Sequence, residues 1–226
     1  MLKNIYFFLF LPIYVFCQND SDELGRKQGQ WTQSYQNGNI RYQGTFVNDV
    51  PQGIFLYYSE NGLLKANLEY FNNGNSASAR LYYPNGHISG VGLYQNEKKD
   101  QLWKYYDEKE QLIRQEQYKN GVLEGQSTLF YSDGNVLQKV FYENGLKQGQ
   151  SQHFYRNGNL KIIAHYLNDK LDGKYELYNA DGIKKYHGTY KNDLKEGIWY
   201  YYKDDASLDY KIEYLNGIPQ TQSNNE

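Results

Sequence analysis

The chain has 226 residues, with 24 Lys+Arg against 26 Asp+Glu and a formal net charge of -2, so no global electrostatic pull toward nucleic acid or anionic lipid operates. Only 39% of residues are hydrophobic, yet 17% are aromatic, with 26 Tyr, 10 Phe and 3 Trp; together with 21 Gly and 4 Pro this excludes a disordered chain and points to many short strands and turns. One Cys and 4 His exclude an intrachain disulfide and leave too few ligands for a Cys/His metal site.

Residues 1–17 read as a signal peptide: Lys3 supplies a positive start and Ile5–Phe16 an uncharged apolar run interrupted only by Pro12. The protein is therefore expected to be exported, either periplasmic or secreted. Two processing routes are open at Cys17. Val15 and Cys17 are small residues three and one before a cut that leaves Gln18 as the mature start; alternatively Cys17 is the lipidated residue of a lipoprotein, a route that the bulky Phe16 disfavours. The run is shorter than the roughly 20 residues of a spanning helix. An acidic leader follows over 18–26.

From residue 27 to 218 the chain repeats every 24 residues, and a fixed period of that length decides the architecture. Asn48, Asn72, Asn96, Asn120, Asn144, Asn168, Asn192 and Asn216 share one position, with an aromatic two residues earlier each time, from Phe46 to Tyr214. Glycines recur at Gly29, Gly53, Gly125, Gly149, Gly173 and Gly197, replaced by Ala77 and Gln101; a second series has Gly38, Gly62, Gly86, Gly134, Gly158 and Gly182, replaced by Glu110 and Ala206. Each of the eight units reads as a β-hairpin. In the first, a strand from Gly29 to Tyr35 meets Asn37-Gly38, expected as a two-residue turn with both residues at positive φ, and the chain returns through Asn39–Phe46. That register sets Trp31 across from Gly44, Phe55 from Leu68 and Tyr175 from Gly188. The stretch from Asn48 to Gly53 is expected as a longer turn into the next unit. A polar tail, 219–226, closes the chain.

The fold class is thus all-β: an elongated, twisted, single-layer antiparallel sheet of about eight hairpin repeats, solenoid-like, in which no unit buries its apolar face alone. One face carries the recurrent rings and the other carries residues such as Arg41, Lys65, Lys161 and Lys185. The strip from Tyr58 to Tyr202 is expected to pair with the latter lysines. Units three and four lack three of the turn glycines, which predicts a bend or looser packing near 74–82 and 107–112.

The pattern Tyr155-Arg-Asn157-Gly158 through Tyr166-Leu-Asn168-Asp169 to Gly173 resembles the MORN-repeat-variant family over nearly the whole chain after the signal. The resemblance implies an open sheet of hairpins that acts as a scaffold for protein or lipid contacts. Some bacterial members are described as antitoxin components of toxin–antitoxin systems, which implies a toxin partner.

Reactive constellations are sparse. His87, His153, His165 and His187 fall at different points of the repeat and do not gather into one site. The run Asn168-Asp-Lys-Leu-Asp172-Gly173 faintly resembles a calcium loop, but Lys170 stands where an oxygen ligand is needed and Asn179 where a bidentate Glu is needed. No catalytic, metal-binding or cofactor-binding residues are assigned, and no cofactor. The candidates for partner binding are Phe55, Tyr57, Trp103, Tyr105, Trp199 and Tyr201, which share one sheet face: left uncovered they form an aromatic binding strip, and otherwise they cover one another as the packing of a one-layer protein.

The function expected is that of an exported, non-catalytic interaction scaffold with one protein partner, antitoxin- or immunity-like; the alternative is a cell-envelope glycan-binding module. A hydrolase would need an insert to build an asymmetric site, and the repeat has none.

Overall fold

A computed structural model describes residues 19–220, and the expected signal peptide lies outside them. The described chain is a single 19-stranded sheet with no helix. It opens with β1 (Asp20–Ser21), β2 (Lys27–Ser34), β3 (Ile40–Val47), β4 (Val50–Tyr58), β5 (Leu64–Phe71) and β6 (Ser76–Tyr82). Each of these strands pairs antiparallel with the next in the chain, and the pattern continues to Leu208–Leu215 and Ile218–Pro219, except that Leu146–Lys147 and Gly149–Phe154 both pair with Val136–Glu143. The leader forms β1 and covers the free edge of β2, where the Asn19 side chain donates to Thr32 C=O (3.0 Å) and accepts from Thr32 N–H (2.7 Å). An edge strand masked in this way offers less template for pairing with another chain.

The expected hairpin register holds: Trp31 pairs with Gly44, Phe55 with Leu68 and Tyr175 with Gly188. The two kinds of turn, however, are exchanged relative to expectation. Within a unit the turn is the longer one. Tyr35 N–H donates to Asn39 C=O and Gly38 N–H to Tyr35 C=O, only Gly38 has positive φ (86°), and the register shifts between Gln33 and Ser34. The tight turn with both residues at positive φ lies between units, at Asn48 (52°) and Asp49 (66°), and Val47 pairs directly with Val50. Asn tolerates this conformation better than other non-glycine residues, and the recurrent Asn is the one that occupies it.

The glycine at the start of each unit marks a bulge. Gln43 pairs with Leu56 and Thr45 with Gln52, so Gly53, Ile54 and Phe55 face the single residue Gly44, and Gly53 takes φ 64°. Bulges bend a strand and increase its twist. Unit three departs from this. The pairing of β5 with β6 is continuous from Ala66↔Leu81 to Phe71↔Ser76, and the surplus residues are taken up in a four-residue turn, Asn72–Asn75. Ala77 consequently sits in regular strand, and Ser76, Ala77 and Ala79 are all buried. The strand keeps regular pairing because lengthening the turn removes the need for a glycine, while Gly74, Asn75, Ser76 and Ala77 line a cavity at the start of the stretch where looser packing is expected. At 107–112 the turn also keeps its form: Asp107 accepts from the N–H groups of Lys109 and Gln111, and Glu110 takes φ 62°.

Gln101, Glu110 and Ala206 adopt φ of 58°, 62° and 65° where sister units have glycine, a conformation that costs an L-residue about 1 kcal/mol. Changing Glu110 or Ala206 to glycine should raise stability by about 0.5–1 kcal/mol each, read as an upward shift in the urea midpoint. An unchanged or lower midpoint in both would contradict this account of the turns.

Both long edges are laced between neighbouring units. On one, Tyr35, Tyr83, Tyr131 and Tyr155 donate their hydroxyls to the backbone carbonyls of Tyr58, Tyr106, Phe154 and Tyr178, all at 2.8–2.9 Å. On the other, carboxylate or amide oxygens of Asp100, Glu124, Gln148 and Glu196 accept the N–H of the turn Asn 20 residues on. These bonds satisfy backbone groups that a lone hairpin would leave to water.

Candidate functional site

One face of the sheet is built around a central row that crosses the long strands: Trp31, Gly44, Phe55, Leu68, Ala79, Gly92, Trp103 and onward to Trp199 and Ile212. Large and small residues complement each other along it. A Cβ placed on Gly44 would lie 2.4 Å from the Phe55 ring, and on Gly92 or Gly188 it would lie 2.3 Å from the rings of Trp103 and Trp199. Where the ring position is Ala79, its neighbour across the junction is Leu68. Rings therefore lie flat on backbone where the preceding strand supplies glycine.

This packing decides the fate of the six candidate residues. Phe55, Trp103 and Trp199 are 1%, 0% and 0% exposed, so the expectation that they are presented to a partner fails for these three, and the packing reading holds. Each is closed in by the glycine beneath it and by a ring meeting it edge-on: Phe46 on Phe55 (5.0 Å), Tyr94 on Trp103 (4.9 Å) and Tyr190 on Trp199 (5.0 Å). The indole N–H groups are satisfied by Leu93 C=O (3.0 Å) and Thr189 C=O (3.1 Å). Tyr57, Tyr105 and Tyr201 are half-buried and keep an edge toward solvent. Their hydroxyls pair with those of Tyr70, Tyr118 and Tyr214 at 3.2, 3.3 and 3.4 Å, the same device in three units.

Tyr57 and Tyr118 stay neutral. Burial, then the Tyr70 hydroxyl, raises Tyr57 above the ordinary tyrosine value, and burial followed by the Tyr105 and Glu116 hydrogen bonds raises Tyr118. The face thus presents the uncharged hydroxyl edges of Tyr57 and Tyr118 between apolar rings, suited to hydrogen bonding and stacking.

Lysines complete the arrangement in a way the sequence reading overlooked. Lys99 lies over Trp103, Tyr105 and Tyr118 at 4.7, 4.9 and 5.3 Å and donates to Tyr105 Oη at 2.7 Å. Lys195 repeats this over Trp199, Tyr201 and Tyr214, with a 2.9 Å bond to Tyr201 Oη. The signal was present in the spacing, since Lys27, Lys99, Lys147 and Lys195 share one point of the repeat. On the opposite face the expected pairing of Lys161 and Lys185 with the strip from Tyr58 to Tyr202 is replaced by other contacts: Lys161 lies over Tyr155 and Lys185 pairs with Asp204, while Lys184 covers Tyr178.

The histidines are dispersed. His153 contacts Gln138, and His187 lies between Tyr200 and Tyr202 at 4.9 and 5.6 Å. Burial lowers the pKa of both. In the calcium-like run, Asp169 accepts Lys147 N–H and Asp172 accepts Asn192 N–H, which makes both of them turn supports. Among the described residues no group of three or more His, Cys, Asp and Glu could hold a metal ion.

Comparison with known proteins agrees with the geometry. The model of the MORN repeat variant matches residues 27–48, 77–96, 102–120, 123–144, 147–168 and 171–192. Units two and eight fall outside these segments but share the register and the ring-on-glycine packing. Among solved structures, the chain is similar to one titled "Structure of Photorhabdus luminescens Tc holotoxin pore, Mutation TccC3-D651A", at 14% identity and a TM-score of 0.23, covering 86% of this chain and 13% of that one. It is also similar to "Crystal Structure of TcdB2-TccC3-Cdc42", at 12% identity and a TM-score of 0.18, covering 85% and 14%. The chain spans about one-seventh of those much longer polypeptides. No curated protein sequence matches it. With six family segments covering more than half of its length, the chain belongs to the MORN repeat variant family.

Proposed function

We propose that this protein is an exported, non-catalytic scaffold whose ring face binds a protein partner, in the manner of an antitoxin or immunity protein. The observation that supports the reading is the recurrence of one half-buried phenol pair at three places, Tyr57 with Tyr70, Tyr105 with Tyr118 and Tyr201 with Tyr214, on a sheet that no second layer covers among the described residues. Amphipathic rings of limited side-chain freedom are favoured at protein interfaces. Spread along one repeat array, such edges suit an extended partner surface.

The test is capture from envelope extracts of the native host with the tagged protein as bait, beside sedimentation with cell-wall polymer. The scaffold reading expects a stoichiometric protein that is lost with Tyr105→Ser and Tyr201→Ser. It should be kept with Ile54→Lys and Ile198→Lys, whose side chains are 57% and 42% exposed on the other face. Retention on polymer without a protein partner would replace the scaffold by the glycan-binding module, and loss through the Ile variants alone would move the interface to the opposite face.

A further inference from the structure

Four units place a lysine at the same point of the repeat, and in each the ammonium lies over the ring 19 residues later: Lys27 over Phe46 (4.7 Å), Lys99 over Tyr118 (5.3 Å), Lys147 over Tyr166 (5.2 Å) and Lys195 over Tyr214 (4.9 Å). In the units of Lys99 and Lys195, rings also stand four and six residues after the lysine, and the ammonium is caged by three rings and bonded to a phenol oxygen. The protein thus builds ammonium cages and fills them with its own side chains.

Unit two has the same rings. Phe55 and Tyr57 meet at 28° between planes, as Trp103 and Tyr105 do, and the Tyr57 and Tyr70 hydroxyls lie 3.2 Å apart against 3.3 Å for Tyr105 and Tyr118. Pro51 stands where the lysine stands elsewhere, pairing with Phe46 as Lys99 pairs with Tyr94. The other units without this lysine have Asn75, Leu123 and Leu171, and none has all three rings: Ala79, Ser127 and Leu177 interrupt them. At Pro51 the structure has a cavity of about 460 Å³, walled by Tyr57, Tyr70 and Tyr94 over Leu68, with Glu97 also lining it. The lysine of the preceding unit, Lys27, is engaged elsewhere, over Trp31 and Phe46 and within 3.4 Å of Tyr42 Oη.

We propose that this cavity, walled by Tyr57, Tyr70 and Tyr94 with Glu97 as counter-charge, binds an alkylammonium cation in the place that Lys99 and Lys195 fill in their own units. The Tyr57 hydroxyl accepts the ammonium N–H as Tyr105 does for Lys99, and the ring faces attract the charge. The shared chemistry has two sources, a free amine or a lysine side chain of another protein. The inference goes beyond the scaffold reading and stands if that reading fails.

The experiment titrates the purified protein with n-butylammonium and, in parallel, with 1-butanol of similar shape, following the Tyr57 and Tyr70 ring signals by NMR. Saturable shifts are expected with a dissociation constant on the order of 1–10 mM, at least about tenfold tighter than for the alcohol. Pro51→Lys should fill the cage from within, abolishing the shifts and raising the melting temperature. Lys99→Ala should open a second cage and double the stoichiometry. Glu97→Gln should weaken binding about threefold or more, a readout that remains if Pro51→Lys fails to fold. Nα-acetyl-lysine methylamide and methylammonium distinguish the sources: the stronger binder identifies a protein lysine or a small free amine, and both results support the cage. Equal binding of the alcohol, absence of saturation, or unchanged binding in both Pro51→Lys and Glu97→Gln would overturn the proposal.

Discussion

Trp103→Ala should lower stability by about 3–5 kcal/mol, the range for deleting a large buried aromatic side chain. The indole is 0% exposed, lies against Gly92, meets Tyr94 edge-on at 4.9 Å and supports the Lys99 ammonium. Gly92→Leu should also be severe, since even its Cβ would fall 2.3 Å from the ring, and an overpacked core forces side chains off their rotamers or shifts backbone. The repeat supplies its own rescue. One junction earlier the same two positions are held by Leu68 and Ala79, there in continuous pairing without the bulge, so the double variant Gly92→Leu/Trp103→Ala exchanges the large and small residues as that junction does. It should recover about 1–2 kcal/mol relative to the sum of the two single changes, a coupling of the size seen between contacting residues. Denaturant titration of the four proteins measures this directly. Strict additivity would show that the ring and its glycine are not the complementary pair described here.

The fold was legible because the repeat overdetermines it. Eight Asn in one position, rings in phase with them and an uninterrupted 24-residue spacing leave a hairpin array as the arrangement that gives every unit the same neighbours. What the sequence did not disclose was where the surplus residues go. Asn37-Gly38 and Asn48-Asp49 both look like tight-turn dipeptides, and only the backbone shows positive φ at both residues of the second and at one of the first. The distinction was present in composition: the residue at the Asn37 position of the hairpin turn varies among Asn, Asp and Lys across the eight units, whereas the inter-unit Asn never varies. A position that must adopt positive φ tolerates few side chains.

The candidate site was legible by face and not by depth. Alternation correctly placed Phe55, Tyr57, Trp103, Tyr105, Trp199 and Tyr201 on one side of the sheet. Alternation cannot report that a bulge brings Phe55 onto Gly44, because that contact joins different hairpins. The lysine cages escaped for a related reason: a cation above a ring reads in sequence as a solvated charge, and the three-dimensional register converts it into the lid of the ring cluster.

Glu176→Gln should cost about 2–3 kcal/mol at pH 7 and progressively less in acid. The Glu176 side chain is only 4% exposed, so burial pushes its carboxyl up, but that push is outweighed by Lys174 at 2.7 Å, the Tyr178 hydroxyl and Lys184 at 3.2 Å, which bring it down to about 2 from an ordinary 4.5. Tyr178 is pushed up to about 12 by its burial and by this carboxylate, so it remains a donor. His187, directly across the strand pair from Glu176, is lowered by burial and stays neutral near pH 7. A carboxyl whose pKa is lower in the folded state than in the unfolded chain stabilises the fold above the unfolded value, and that stabilisation disappears as pH falls through the folded value. The whole contribution is therefore present above about pH 5 and fades between roughly pH 4.5 and 2. The full shift corresponds to about 3 kcal/mol, reduced because the Lys174 side chain is 62% exposed and water screens its charge. Denaturant midpoints of the parent and Glu176→Gln proteins, followed from pH 7 to pH 2, should converge in acid. A gap that stays constant across that range would mean that the variant loses packing and not charge.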